Sequence, residues 1–342
     1  MASKIPPSPS EGISLLARAD VRVRVDDERH IFVTRRIDSS WKRARVRTTR
    51  QSPGFWEVER DLANAGTDSV LYVVRGASPT LTELASSNHR IIIADLDENS
   101  VLLDGVTIFT TGHQLDDELA QKARRGRVPW ARYAIVRSLT LSHHPQTQVQ
   151  LAALSGVTQA AVSQVLSYLG EYVERRESGW QAKDIGPLFD LFMDEYPGPG
   201  GLSSYWLSTS SPREQAIEAG NQADLVAGEI SHLISGDVAV DEISPWRRPT
   251  RALVYLRTGL ELKRFVEVDP IDASLELRVP ADKTIWATAS MWQRADTHRP
   301  SHSLVDPLIA SWDSLRTGAS DSEQAILQVK RELMARNGWG RS

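Results

Sequence analysis

Residues 148–166, QVQLAALSGVTQAAVSQVL, hold two short amphipathic segments separated by one glycine. Gly156 follows the first segment where a tight turn requires a positive φ, which glycine adopts without steric cost. Thr158 can cap the second segment, because its hydroxyl can accept a bond from a free backbone N–H. The apolar residues are Leu151, Ala152 and Leu154 in the first segment and Val162, Val165, Leu166 and Leu169 in the second. This spacing predicts a helix-turn-helix, with a purely structural helical hairpin as the alternative.

The other face of the second segment carries small or neutral hydrogen-bonding side chains and no charge. A helix that only faces solvent usually carries lysine and glutamate, whereas glutamine and serine can bond to base edges in the major groove. The pattern therefore favours DNA contact. The candidate base-contacting residues are Thr158, Gln159, Ala160, Ser163, Gln164 and Ser167.

The flanks of this motif extend it to a winged helix. Residues 129–141 predict a preceding helix, and residues 172–183 predict a two-stranded hairpin that turns at Ser178 and Gly179. Basic side chains on both sides can contact phosphates without distinguishing the bases. The candidate backbone-contacting residues are Lys122, Arg124, Arg125, Arg127, Arg132, Arg175, Arg176 and Lys183.

Charge is distributed unevenly along the chain. The 342 residues carry a net charge of −4, yet residues 122–183 hold nine basic and three acidic residues, a local charge of +6. Such a basic centre is typical of a surface for a polyanion, and chance clustering of solvated charges is the alternative. The chain has no cysteine, which excludes disulfides and thiolate metal sites. No apolar run is long enough to span a bilayer, so we expect a cytoplasmic, nucleoid-associated protein without a membrane partner.

The N-terminal part, residues 13–120, predicts an α/β domain after a disordered tail at 1–12. Two features are similar to a known arrangement. One is the order of its strands and helices, and the other is the sequence at 70–105, VLYVVRGASPTLTELASSNHRIIIADLDENSVLLDG. This part resembles the restriction-endonuclease-like domain of bacterial abortive-infection type IV antitoxins (AbiEi-like), in which a winged helix follows, here at 121–184. The resemblance implies a regulator that binds its own promoter.

A nuclease of that fold needs carboxylates and a lysine on adjacent strand ends to hold Mg²⁺ and orient water. The resemblance aligns that strand with residues 43–47, where Arg45 and Arg47 occupy the glutamate and lysine positions, so we predict no cleavage. The stretch at 42–50, which includes this strand, offers a second basic surface for a nucleic-acid backbone, with a solvated edge strand blunted by charge as the alternative. Its basic residues are Lys42, Arg43, Arg45, Arg47 and Arg50. The alternative, a metal-dependent nuclease targeted by the winged helix, would draw carboxylates from Glu57, Glu59, Asp61 or Asp95.

The C-terminal part, residues 185–315, resembles the nucleotidyltransferase-like α/β domain of the same family, followed by a helix and tail at 316–342. The sequence predicts helices at 212–219, 221–234 and 321–338, and strands at 203–207, 252–256, 275–279 and 284–289. Catalysis would need a carboxylate pair on the strand at 250–254, and that strand contains none. The histidines are scattered, so we expect neither a metal nor a cofactor.

These observations predict a multidomain α/β protein with a central winged helix-turn-helix between the two outer domains. The expected function is sequence-specific binding of a double-stranded DNA operator by a non-enzymatic transcriptional regulator, a repressor. The family resemblance implies an antitoxin-like autorepressor with a cognate toxin, and a lone regulator is the alternative. A single winged helix contacts one short half-site, so we also expect self-association on DNA.

Overall fold

The computed structural model describes residues 7–19, 21–35, 40–109, 128–245, 248–295, 301–316 and 321–336. These segments contain both helices and strands. The strands form one seven-stranded sheet, one five-stranded sheet and one two-stranded hairpin. The mixed α/β class that the sequence predicted is therefore confirmed.

The first sheet follows chain order from β1 to β7. Strands β3, β4 and β5 are parallel neighbours, and the other neighbouring strands are antiparallel. The elements are α1 (Pro9–Arg18), β1 (Val21–Val25), β2 (His30–Arg35), β3 (Lys42–Thr48), α2 (Phe55–Asn64), β4 (Ser69–Val74), α3 (Pro79–Ser87), β5 (Ile91–Asp95), β6 (Ser100–Leu103) and β7 (Val106–Phe109).

Helices cover both faces of this sheet, which explains why β4 and β5 are mostly apolar and are buried throughout. Helix α1 packs on one face and helices α2 and α3 on the other. Gly12 lets α1 approach closely, because a Cβ there would lie 2.3 Å from a methyl group of Val73. The tail expected at 1–12 is accordingly wrong for residues 9–12, which form the first turn of α1 behind a Ser8 cap, with Gly12 buried.

The middle of the chain forms three helices, a hairpin and a further helix. They are α4 (Trp130–Leu141), α5 (Gln148–Ser155), α6 (Gln159–Tyr168), β8 (Val173–Arg176), β9 (Gly179–Ala182) and α7 (Ile185–Glu195). No single helix in the described segments has the length and apolarity needed to cross a bilayer. Helices α5 and α6 reach that threshold only when taken together, and they are bent by 104° to one another.

The last part builds the five-stranded sheet in the order β11-β12-β14-β10-β13, with β12 and β14 parallel. Its elements are β10 (Leu202–Leu207), α8 (Pro212–Ala227), β11 (His232–Ser235), α9 (Gly236–Ile243), β12 (Ala252–Leu256), β13 (Val266–Glu267), β14 (Leu275–Val279), α10 (Ile285–Ala295), α11 (Pro307–Leu315) and α12 (Ser322–Arg336). One buried apolar cluster runs from α1 to α12 and joins the three parts of the chain.

Two sequence-based predictions in this part are wrong. The helix expected at 221–234 ends at Ala227, because Gly228 caps it with a φ of 72°, and strand β11 follows. The strand expected at 284–289 is the start of helix α10. Its apolar residues alternate locally, but Ile285, Ala289 and Trp292 recur at helical spacing and are buried.

Candidate nucleic-acid interface

The turn between α5 and α6 has the geometry that the sequence predicted. Gly156 adopts the left-handed conformation with φ 67° and ψ 35°. The N–H of Val157 donates to the carbonyl of Ala152 at 3.0 Å, and the Thr158 hydroxyl accepts from the N–H of Ala161. These local hydrogen bonds satisfy backbone groups freed at the turn and help to fix the angle between the two helices.

The apolar face of helix α6 packs against neighbouring helices. Val162, Val165 and Leu166 are buried where α6 packs against α4 and α5. The hydroxyls of Ser138 on α4 and Ser155 on α5 lie 2.8 Å apart in a buried contact. Helix α10 packs against α4 and α5, and its Ala287 lies next to Gly156 in the turn. The outer face of α6 remains exposed.

The six candidate base-contacting residues share one exposed face. Thr158, Gln159, Ala160, Ser163, Gln164 and Ser167 are all exposed. The structure records no hydrogen bond for the side chains of Gln159, Ser163 and Gln164 within the described part of the chain, so their donors and acceptors are free for a ligand. Thr158 differs from them, because its hydroxyl caps α6. The face is an uncharged strip of hydrogen-bonding groups on a rigid helix.

The hairpin β8–β9 lies beside this helix unit and is fastened to it. Gln146, in the loop before α5, exchanges two backbone hydrogen bonds with Trp180 of β9, at 2.8 and 2.7 Å. Arg175 and Lys183 are exposed, and no carboxylate of the described residues forms an ion pair with either. Arg176 is 57% exposed, but its Nε donates to Glu174 at 2.8 Å. Two free cations and one paired cation therefore line the hairpin.

Arg132 does not have the role that the sequence suggested, and this prediction needs correction. Its side chain is only 18% exposed, and its Nη2 lies 3.0 Å from a carboxylate oxygen of Glu195 on α7. The guanidinium also stacks over the rings of Tyr168 and Tyr133, at 4.8 and 4.9 Å from their centroids. Arg132 therefore joins α4 to α6 and α7. Four other candidate phosphate contacts, Lys122, Arg124, Arg125 and Arg127, lie outside the described residues.

The second basic surface proposed on β3 is largely neutralised. Arg43 bonds to Asp26 at 2.7 Å, to Asp68 at 2.7 Å and to Asp27 at 3.2 Å, and the bond to Asp26 is the main cause of its raised pKa. Arg47 pairs with Asp61 at 3.1 Å, and Lys42 pairs with Asp104. Among the described residues, Arg45 and Arg50 alone of this set have no recorded ion pair. The prediction of a continuous basic surface is corrected to two separate cations.

Three of the four carboxylates considered for the nuclease alternative serve local structure, and the fourth, Glu59, is exposed without a recorded contact among the described residues. Glu57 accepts the N–H of Gly54 at the start of α2, and Asp61 accepts the hydroxyl of Tyr72 at 3.2 Å besides pairing with Arg47. Asp95 is buried and accepts four backbone N–H groups, from Gly76, Ala77, Asp97 and Glu98, at 2.6 to 3.3 Å. In the segments that the structure describes, no three acidic or histidine side chains lie close enough to hold a metal ion.

Arg137, which we counted in the basic centre, is fully buried. It donates to Asp306 and Thr288 at 3.0 Å and to Asp282 at 3.3 Å. Burial alone would lower the pKa of Arg137, but Asp306 and Asp282 outweigh it and raise the pKa. The arginine therefore locks α4 to the ends of α10 and α11. Its carboxylate partners lie 145 and 169 residues away, so the neighbouring sequence carried no signal of this burial.

No family model matches the chain, and neither a curated protein nor a solved structure matches it.

Proposed function

We propose that this protein is a sequence-specific, double-stranded-DNA-binding transcriptional regulator that acts as a repressor and has no catalytic activity. The observation that carries the proposal is the outer face of α6, where six uncharged residues are all exposed. In this proposal α6 enters the major groove, and Gln159, Ser163 and Gln164 bond to base edges. A glutamine can bond to an adenine through two hydrogen bonds at once, which is the basis of sequence preference here.

The hairpin β8–β9 acts as the wing of this winged helix. Arg175 and Lys183 extend from it as free cations, and they suit phosphates of the DNA backbone next to the groove. Such contacts add affinity for any sequence and fix the position of the helix, while the bonds from α6 select the site. In this proposal the uncharged face of α6 selects the DNA sequence, and the cationic hairpin adds affinity for any sequence.

Both outer domains are proposed to be scaffolds derived from enzymes, with a nuclease-like sheet at the N-terminus and a nucleotidyltransferase-like sheet at the C-terminus. Arg45 and Arg47 on β3 support the absence of cleavage, because a guanidinium cannot ligate Mg²⁺. The buried Asp237 supports the same conclusion for the second sheet, since it bonds to Thr250 and Ser314. A cognate toxin as a protein partner, and association of two copies on DNA, belong to the same proposal.

The test is a mobility-shift titration of the purified chain on the DNA upstream of its own gene and on random DNA of equal length. Gln164→Ala should lose about 1–3 kcal/mol on the operator and little on random DNA, because one base contact is removed. Gln51→Ala is the matched control, since Gln51 is also an exposed glutamine but lies near α2. Equal binding of both DNAs by parent and Gln164→Ala would contradict the proposal. Mg²⁺-dependent nicking of plasmid by the parent would favour the nuclease alternative.

A further inference from the structure

A cleft of about 760 Å³ separates the N-terminal sheet from the C-terminal sheet. This volume is within the range of typical ligand sites, which often occur between domains. Strand β1 lines one wall, and strand β13 with the preceding loop lines the other. Each of these strands ends its sheet in the described part of the chain, so two sheet edges meet the same cleft.

The edge of β1 lines this cleft with backbone groups that do not bond to β2, at Val21 and Val23, which are only 3% and 8% exposed. The N–H of Asp26 donates to the carbonyl of His30 at 2.9 Å. Because bonded and non-bonded pairs alternate along an antiparallel ladder, Arg22 and Arg24 direct their backbone groups to β2. The N–H and C=O groups of Val21 and Val23 therefore point away from β2. No hydrogen-bond partner for them is recorded among the residues that the structure describes.

The edge of β13 also carries an unpaired residue, and both residues of this strand are exposed. The N–H of Val268 donates to the carbonyl of Tyr205 at 3.0 Å, which makes these two residues a bonded pair. Glu267, one residue earlier, therefore directs its N–H and C=O away from β10. An unprotected strand edge of this kind is a template for another strand.

The side chains on the two walls carry opposite charges but form only one long ion pair across the cleft among the described residues. Arg22 and Arg24 stack on Trp41, at 5.3 and 5.4 Å from the ring centroid. The contact across the cleft from Arg22 to Glu261 is 4.0 Å long, and both side chains are more than half exposed. Arg24 has no carboxylate partner within the described residues.

The opposite wall contains two carboxylates, Asp269 and Glu267, for which no ion pair is recorded among the described residues. Asp269 has a buried carboxylate oxygen, Oδ1, without a hydrogen-bond donor among the described groups. Desolvation and the neighbouring Glu261 raise the pKa of Glu267 to about 7, although the residue is exposed at the end of the sheet. A ligand that brings an ammonium group to this wall and carboxylates to the other would satisfy both.

We propose that this cleft binds an extended peptide of a partner protein, which adds a strand to β1 and places acidic side chains over Arg22 and Arg24. The peptide backbone would bond to Val21 and Val23, and a basic side chain would reach Glu267 and Asp269. Alternation matches this geometry, because side chains two residues apart in a strand share a face. Strand addition supplies affinity through the backbone, and the charges supply selectivity. The proposal does not depend on DNA binding.

The experiment measures binding of three acetylated and amidated hexapeptides by calorimetry and by tryptophan fluorescence. The first is VEVEVK, the second is the charge-reversed VKVKVE, and the third is VEVEVK with N-methylated valines, which cannot form the backbone bonds. We expect VEVEVK to bind about tenfold more tightly than either of the others. Hydrogen exchange should slow at the amides of Val21 and Val23 when VEVEVK is bound.

A charge-reversal variant separates specific recognition from a folding defect. In the double variant R22E/R24E the preference should invert, so that VKVKVE binds more tightly than VEVEVK, a gain that an unfolded protein cannot produce. Equal affinity for the two charge patterns would overturn the proposal, as would no binding at millimolar peptide. Unchanged affinity for the N-methylated peptide would overturn strand addition.

Discussion

Replacing Arg137 by methionine should destabilise the whole protein, although the residue lies in the middle of a helix that contacts no ligand in the proposal. Arg137 is fully buried and bonds to Asp306, Asp282, Thr284 and Thr288. Methionine retains an unbranched apolar stem of similar length but removes the charge and the donors. Two buried carboxylates then remain without their cation.

The expected loss of unfolding free energy depends on the hydrogen bonds that Asp282 and Asp306 still accept in the variant. Removing one partner of a buried ion pair costs about 3–5 kcal/mol. Asp282 still accepts from the hydroxyl of Tyr196 at 2.9 Å, and Asp306 still accepts the N–H groups of Leu308 and Ile309 at 3.1 and 3.2 Å. These remaining bonds place the expected loss at about 3 kcal/mol, the lower end of the range. Domains are typically stable by about 5–15 kcal/mol, so the loss is a large fraction of the total.

The free energy of unfolding should be measured by urea titration, with tryptophan fluorescence and circular dichroism as parallel probes. Arg60→Met is the matched control, because Arg60 is exposed and such surface changes stay within about 0.5 kcal/mol. Adding D282N and D306N to R137M should restore part of the loss, since no uncompensated charge is then buried. A loss below about 1 kcal/mol for R137M, or a triple variant less stable than R137M, would refute the reasoning.

Three further predictions follow from individual sites. Arg175→Ala should weaken operator and random DNA alike and reduce the salt dependence by about one unit of slope, as for a lost phosphate contact; an unchanged slope would contradict this. Glu267→Gln should raise the melting temperature more at pH 8 than at pH 5. With a folded-state pKa of about 7, Glu267 loses stabilising protonation as the pH rises from its unfolded pKa through 7; equal shifts at both pH values would argue against it. Gly156→Ala should cost about 1–3 kcal/mol, from its positive φ and a Cβ that would lie 2.9 Å from Ala287; parent-like urea stability would disprove it.

The sequence by itself determined the elements whose signals are local. The left-handed turn at Gly156, the cap at Thr158 and the buried face at Val162 and Val165 all depend on neighbours within a few residues, and all are present as predicted. The exposed outer face of α6 followed from the same periodicity. Gly228 shows the limit of local signals, because the exposed apolar residues before it extended the helical pattern past the true end of α8.

Tertiary structure alone decided which charges are available and which surfaces meet. Arg137 binds carboxylates 145 and 169 residues away, and Arg43 pairs with three carboxylates from two different loops. The residues next to either arginine in the sequence therefore do not reveal whether its side chain is paired or solvated. The cleft likewise joins β1 to β13, which are more than 200 residues apart. Periodicity specifies which face of an element is buried, whereas the pairing of a charge depends on which distant element folds against it.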